Sequence, residues 1–223
     1  MARMPMHART NGMTLWRLVG SLAGVLLLAG CTSQVTVDAK FPRALVEPMP
    51  VSVGIVFDDK LKNFVHKERI PEQSSWSIAL GKASVAMMSP LFKSMFAKTR
   101  MVTKFPGDAA QLTGLDAVLK PQLDKYEFDV PVGQHDAFVE VWMQYTLNLY
   151  KPSGELIADW PVSGYGKAEL GHKKEEAVNQ ASVEALRDVG ASISTKFAKQ
   201  PKIAYWLQET KNATALSAKT QGF

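Results

Sequence analysis

A single sulfur nucleophile is available in this chain of 223 residues, because Cys31 is the sole cysteine. It follows Leu28, Ala29 and Gly30 at the end of an apolar run that begins at Leu18. Ala29 and Gly30 are small enough to let an extended backbone enter a peptidase cleft, and the thiol beside them is open to covalent modification. Other groupings promise less chemistry. Asp58 and Asp59 follow the apolar run Val51–Phe57. Adjacent carboxylates can ligate a hard cation or serve acid–base work, but neighbours in a strand point to opposite faces, so the pair reads as a strand leaving into solvent. His135 and Asp136 lie in a polar turn with no serine-nucleophile motif nearby. His66 has no second histidine at ligand spacing and reads as a surface residue. The stretch Ser163 to His172 carries Gly164, Gly166, Gly171 and Lys167, but matches neither the phosphate-loop pattern nor Gly-x-Ser-x-Gly. Because it precedes a helical pattern, an anion-binding loop is weighed there against a plain connection. No catalytic residue, metal site or cofactor is assigned.

The elements around Cys31 explain its chemistry. Arg3, Arg9 and Arg17 stand in the first twenty residues with no acid among them. The run from Leu18 through Ala29 is about 12 residues long, the order and length of a secretory signal and too short for a confident membrane span. Leu28-Ala29-Gly30-Cys31 resembles the lipobox of bacterial lipoproteins. The resemblance implies that Leu28, Ala29 and Gly30 are the signal-peptidase recognition residues and that Cys31 is the lipidation site. Residues 1–30 would then be a discarded signal peptide, and the mature chain would hold to a membrane through the lipid on Cys31. Two or more acyl chains give stable anchoring where one does not. Thr32, rather than an aspartate, follows the cysteine, and in that family this favours the periplasmic face of the outer membrane over the inner membrane.

Composition bounds what is anchored. Removing 30 of the 223 residues leaves 193, enough for one domain with a real core. The net charge of +5 belongs to the precursor: three of its 26 basic residues lie in the leader, leaving 23 against 21 acids, which gives no support for nucleic-acid binding. With Cys31 lipidated, disulfides, cysteine-ligated zinc and cysteine nucleophiles are excluded.

Residues 31–50 lack a clean period, contain Pro42, Pro48 and Pro50, and read as a lipidated tether. A single domain is expected over 51–209 and a flexible tail over 210–223. Val51 to Phe57 reads as a buried strand and Leu61 to Gln73 as an irregular loop. A helix capped by Ser74 or Ser75 is expected to about Lys98, kinked or divided at Pro90. A brief strand follows at Met101–Phe105. Leu115 to Val130 reads as a strand whose apolar parity shifts near Asp124-Lys125, the signature of a bulge. Phe138 to Tyr150 alternates most strongly, with Val139, Val141, Met143, Tyr145, Leu147 and Leu149 on one face; Leu156 to Val162 returns as its hairpin partner. A second long helix spans Lys173 to Lys199, with Val178, Ala181, Ala185, Leu186, Val189 and Ile193 in its stripe. A short helix over Ile203–Glu209 follows.

This order predicts an α+β fold: a two-layer sandwich in which a mainly antiparallel sheet of about five strands carries two long helices on one face. The arrangement is similar to YajG-like lipoproteins and the N-terminal domain of TolB. Three functions are weighed. The first is a non-enzymatic binding or envelope-assembly module whose partner is another envelope protein, using Phe138, Glu140, Trp142, Gln144, Trp160 and Tyr165 as its surface. The second is a carrier of a lipid or hydrophobic ligand, held between the methionine-rich helix and the sheet. An envelope hydrolase ranks last.

Overall fold

A computed structural model describes residues 32–70, 75–107, 109–132 and 137–220. Leu28, Ala29, Gly30, Cys31, His135 and Asp136 lie outside them. In chain order the elements are β1 (Thr32–Thr36), β2 (Met49–Ile55), α1 (Asp59–Lys62), β3 (Val65–Arg69), β4 (Ser75–Ala79), α2 (Gly81–Met95), β5 (Phe96–Met101), α3 (Ala109–Leu112), β6 (Ala117–Asp129), β7 (Phe138–Tyr150), β8 (Leu156–Glu169), α4 (Lys174–Lys196) and α5 (Pro201–Thr220).

The main sheet has five strands in the order β5-β2-β6-β7-β8. β2 pairs in parallel with β5 and β6, while β6, β7 and β8 form an antiparallel meander that supplies most of the paired length. The alternation read in β7 is the observed one: Val139, Val141, Met143, Tyr145, Leu147 and Leu149 are buried. They face α2 and α4, which lie together on that side. The α4 stripe Val178, Ala181, Ala185, Leu186, Val189 and Ile193 is fully buried against them. The β6 register shifts between Leu123 and Lys125, which leaves Asp124 unpaired at the expected phase change. Thr146 Oγ1 donates to its carboxylate at 2.6 Å. Pro121 sits where β6 has no partner on its second side, because β2 pairs only as far as Leu119. The missing N–H of proline is harmless there.

A second sheet, β1-β4-β3, differs from expectation and accounts for the two main misreadings. Residues 75–79 are strand rather than the first turns of a helix: Trp76 and Ile78 are buried and Ser75 and Ser77 face outward, a period of two. Helix α2 therefore starts at Gly81, not at a serine cap. A side chain at Gly81 would put its Cβ 2.2 Å from Lys62 O, so only glycine lets α2 begin against α1. Pro90 does not divide α2. The expected loop over residues 61–73 contains the end of α1 and strand β3, and His66 lies there half-buried, its Nε2 2.9 Å from Glu68 Oε2 and its ring 5.1 Å from that of Tyr126.

The expected tether is corrected likewise. Residues 32–36 form β1, paired in parallel with β4. Val35 and Val37 are 4% and 2% exposed, and Phe41, Ala44 and Val46 pack against the core. The prolines and the lack of a long period obscured a strand that exists because β4 offers it an edge. At the other end α5 continues through Thr220, beyond the short helix expected.

Two hydroxyl relays tie the layers together. Ser84 Oγ on α2 donates to Leu80 O at 2.9 Å and lies 2.6 Å from the Tyr145 hydroxyl on β7. Ser182 Oγ on α4 donates to Val178 O at 2.6 Å and lies 2.8 Å from the Tyr126 hydroxyl on β6. Each serine spends its proton on its own helix, so each tyrosine donates to the serine oxygen. Burial pushes both phenols well above their ordinary value.

Candidate functional site: the open face of the main sheet

Phe138, Glu140, Trp142 and Gln144 are among the β7 side chains that point away from the helices. The antiparallel register sets Glu169 opposite Phe138, Lys167 opposite Glu140, Tyr165 opposite Trp142 and Ser163 opposite Gln144. Cross-strand partners on one face stand close enough to interact, and these do. The Trp142 and Tyr165 rings lie 5.2 Å apart at 47°. The Tyr165 hydroxyl donates to Glu140 Oε1 at 2.8 Å. That bond to a carboxylate raises the phenol above its ordinary value, since ionising it would set two negative charges together. Lys167 Nζ stands 3.9 Å from the centroid of the Phe138 ring.

The cluster is thus braced by its own contacts while staying open to solvent: Phe138, Trp142 and Tyr165 are 40%, 42% and 39% exposed. On its other flank β6 sets Glu127 opposite Trp142 and Asp129 opposite Glu140, both exposed, with Lys125 paired to Glu127 at 3.3 Å. Acids therefore outnumber cations around the aromatic centre. The outer edge of β8 is occupied beside the cluster, because the Tyr165 N–H donates to Asp188 Oδ2 on α4 at 3.0 Å.

Of the six residues expected on this face, five are brought together and Trp160 is not. Trp160 pairs with Leu147 on the helix side and sets its ring 6.3 Å from Phe197. The reason is parity: Trp160 and Tyr165 are an odd number of residues apart in one strand, so they occupy opposite faces. Lys167, Glu127 and Asp129 were missed, although the same parity places them once the register is known.

The glycine-rich stretch is not an anion loop. Residues 163–169 belong to β8, and Gly164 and Gly166 are where α4 lies against it. A Cβ at Gly166 would fall 1.9 Å from Ala181 O, and one at Gly164 2.3 Å from Ala185 O. The two aspartates after β2 diverge. Asp58 accepts from Leu61 N at 2.9 Å as the cap of α1 and lies 3.2 Å from Lys120 Nζ, whereas Asp59 pairs with Lys62. Partial burial pushes the Asp58 carboxyl up, but the Leu61 N–H and the Lys120 ammonium outweigh it and hold the carboxyl below its ordinary value. Among the described residues no cluster of histidines and carboxylates has the makings of a metal site, and no helix is long and apolar enough to cross a membrane.

The space between the methionine-rich helix and the sheet is filled: Met87, Met88 and Met95 are core residues. A groove of about 250 Å³ opens instead between α2, α4 and the coil after β1, lined by Phe41, Ala44, Met87, Leu91 and Gly190 with Arg43 and Arg187.

No family model matches the chain, and no curated protein matches it. Solved structures do. Protein XCC0632 from Xanthomonas campestris, of family-model DUF330, superposes with a TM-score of 0.50 at 11% identity, over 82% of this chain and 99% of that one. A minor lipoprotein from Acinetobacter baumannii gives 0.41 at 8% identity over 69% and 94%. Lipoprotein GNA1162 from Neisseria meningitidis gives 0.36 at 11% over 68% and 100%. The chain shares its α+β fold with the Xanthomonas protein, and fold alone does not assign an activity.

Proposed function

We propose that this protein is a lipid-anchored envelope protein that works by holding another envelope protein, not by catalysis. It would be attached through Cys31 to the periplasmic face of the outer membrane. The observation that carries the binding role is the braced aromatic cluster of Phe138, Trp142 and Tyr165 on an otherwise charged, open sheet face. Large aromatics anchor interfaces because they bury much area for few rotatable bonds, and a charged rim sets register and partner choice. The excess of Glu127, Asp129, Glu140 and Glu169 over Lys125 and Lys167 calls for a partner that is basic around an apolar centre.

Crosslinking in intact cells tests the reading. The wild-type chain is expected to capture a partner that Trp142→Ala loses while folding normally; equal capture by both would refute the surface. Cys31→Ser is expected to leave the membrane fraction. The groove beside Met87 and Leu91 favours a second reading, a carrier of a hydrophobic ligand with an anionic head near Arg43 and Arg187. A fluorescent fatty acid that Leu91→Trp displaces would support it, and absence of binding by the wild type would end it.

A further inference from the structure

Thr32 is bonded to Cys31, so the residue read as lipidated lies one Cα step, about 3.8 Å, from a strand that is part of the fold. We infer that the domain is seated directly on the membrane, with the end that carries the start of β1 against the phospholipid headgroups. The inference rests on lipid attachment at Cys31 and adds to it an orientation and a contact surface.

β1 is held too well to serve as a leash. It pairs with β4 from Thr32↔Ser75 through Thr36↔Ala79. Ser33 Oγ donates to Glu175 Oε1 at 2.7 Å, and the Asp38 N–H donates to Asn179 Oδ1 at 3.2 Å. Val35 and Val37 are buried beneath these contacts.

The contacts also say which end is seated. Glu175 opens α4. Gly166 lies against Ala181 and Gly164 against Ala185 and Val189, so α4 runs antiparallel to β8. The start of α4 therefore lies where β8 ends and β7 begins. The turn between β7 and β8 is at the far end of strands 13 and 14 residues long, roughly 40 Å away at about 3.4 Å per residue.

The surface beside the anchor suits headgroups. The outward face of the small sheet presents Thr32, Ser75 and Arg69 in one row and Gln34, Ser77 and Lys67 in the next. Two strand spacings of about 4.8 Å put the Arg69 backbone roughly 10 Å from Thr32, and the guanidinium reaches further. The headgroup zone on each side of a bilayer is about 5–7 Å deep. Hydroxyls, an amide and two cations are the donors that phosphates and glycerol esters accept. Lys173 and Lys174 add charge at the start of α4, but Glu68, Glu169, Glu175 and Glu176 offset it. The short covalent attachment, not net charge, sets the orientation, so neutral lipid suffices. The Phe138 end of the open sheet face is then held near the membrane, where its partner must be found.

The test uses the lipid-carrying chain in phosphatidylethanolamine–phosphatidylglycerol vesicles that contain a lipid with a nitroxide headgroup. Because lipid consumes the sole cysteine, fluorophores on Ser75→Cys, Lys174→Cys and Ser153→Cys each report one place. Labels at Ser75→Cys and Lys174→Cys are expected to be quenched several-fold more than the label at Ser153→Cys in the far turn. A flexible linker of about ten residues inserted between Cys31 and Thr32, spanning roughly 17–19 Å, is expected to abolish that difference. Equal quenching at both ends of a chain whose mass shows lipid would overturn the seating and leave the anchor standing. A difference that survives the linker would overturn the role of the short attachment. A wild-type chain without lipid would overturn both readings.

Discussion

Removing one hydroxyl from the Ser84–Tyr145 pair should hurt far more from one side than from the other. Tyr145 is fully buried, and among the described residues its hydroxyl has the Ser84 oxygen as its one hydrogen-bond partner. Ser84→Ala strands that phenol in the core, and an unpaired buried donor costs about 1–3 kcal/mol. Leu80 O is not orphaned, because the Ser84 N–H also donates to it at 2.9 Å. Tyr145→Phe removes the donor instead. Ser84 still donates to Leu80 O, so only one net bond is lost, about 0.5–1.5 kcal/mol. The double variant leaves no stranded group and should be more stable than Ser84→Ala alone. Urea unfolding of the mature domain carrying Cys31→Ser reads all three. For a domain of this size each kcal/mol moves the melting temperature by about 2–4 °C. Coupling of about 1 kcal/mol or more is expected, with the double variant recovering stability. Additivity within about 0.3–0.5 kcal/mol would show the two groups to be independent and refute the relay.

The second relay should repeat the pattern: Ser182→Ala is expected to be rescued by Tyr126→Phe in the same unfolding assay. Both tyrosines give a pH dependence of definite sign. Their folded values lie above the ordinary 10.0, so the unfolded chain loses protons first and stability falls as pH rises above about 10. The slope should approach roughly −2.7 kcal/mol per pH unit for the pair, and tyrosinate absorbance from them should appear only on unfolding; stability flat above that pH would contradict their burial. Gly166→Ala drives a methyl into Ala181 O and should destabilise by about 3 kcal/mol or more, whereas Gly154→Ala meets no atom, sits at a φ of +96°, and should cost about 1–2 kcal/mol in the same denaturation series. Asp58→Ala should remove about 1 kcal/mol through the lost helix cap, read as a shift of the urea midpoint without a change of slope.

What was legible in the chain had a period long enough to read. β7 declared itself by strict alternation over thirteen residues, the bulge by a parity change, and α4 by a stripe with acids at its start and a lysine at its end. What was misread lay where two elements abut without a break. Trp76 and Ile78 stand an even number of residues apart but also fall near a helical stripe that continues through Ala83 and Met87, so five residues of strand merged into the helix after them. β1 is too short to show a period against three nearby prolines. Trp160 and Tyr165 are close in sequence, but their odd spacing within one strand sets them on opposite faces.

By itself the sequence determined what local covalent chemistry and periodicity can decide: an apolar run closed by the sole cysteine, an α+β order of elements, and which face of β7 is buried. Only the tertiary structure decided which strands meet. It alone pairs β1 with β4 at the foot of α4, brings Tyr165 and Lys167 across to Trp142 and Phe138, and turns two glycines from a presumed loop into the floor under a helix. Those are relations between segments far apart in the chain. They are settled by which edges and surfaces remain to be covered once each segment has formed, and no local pattern encodes that.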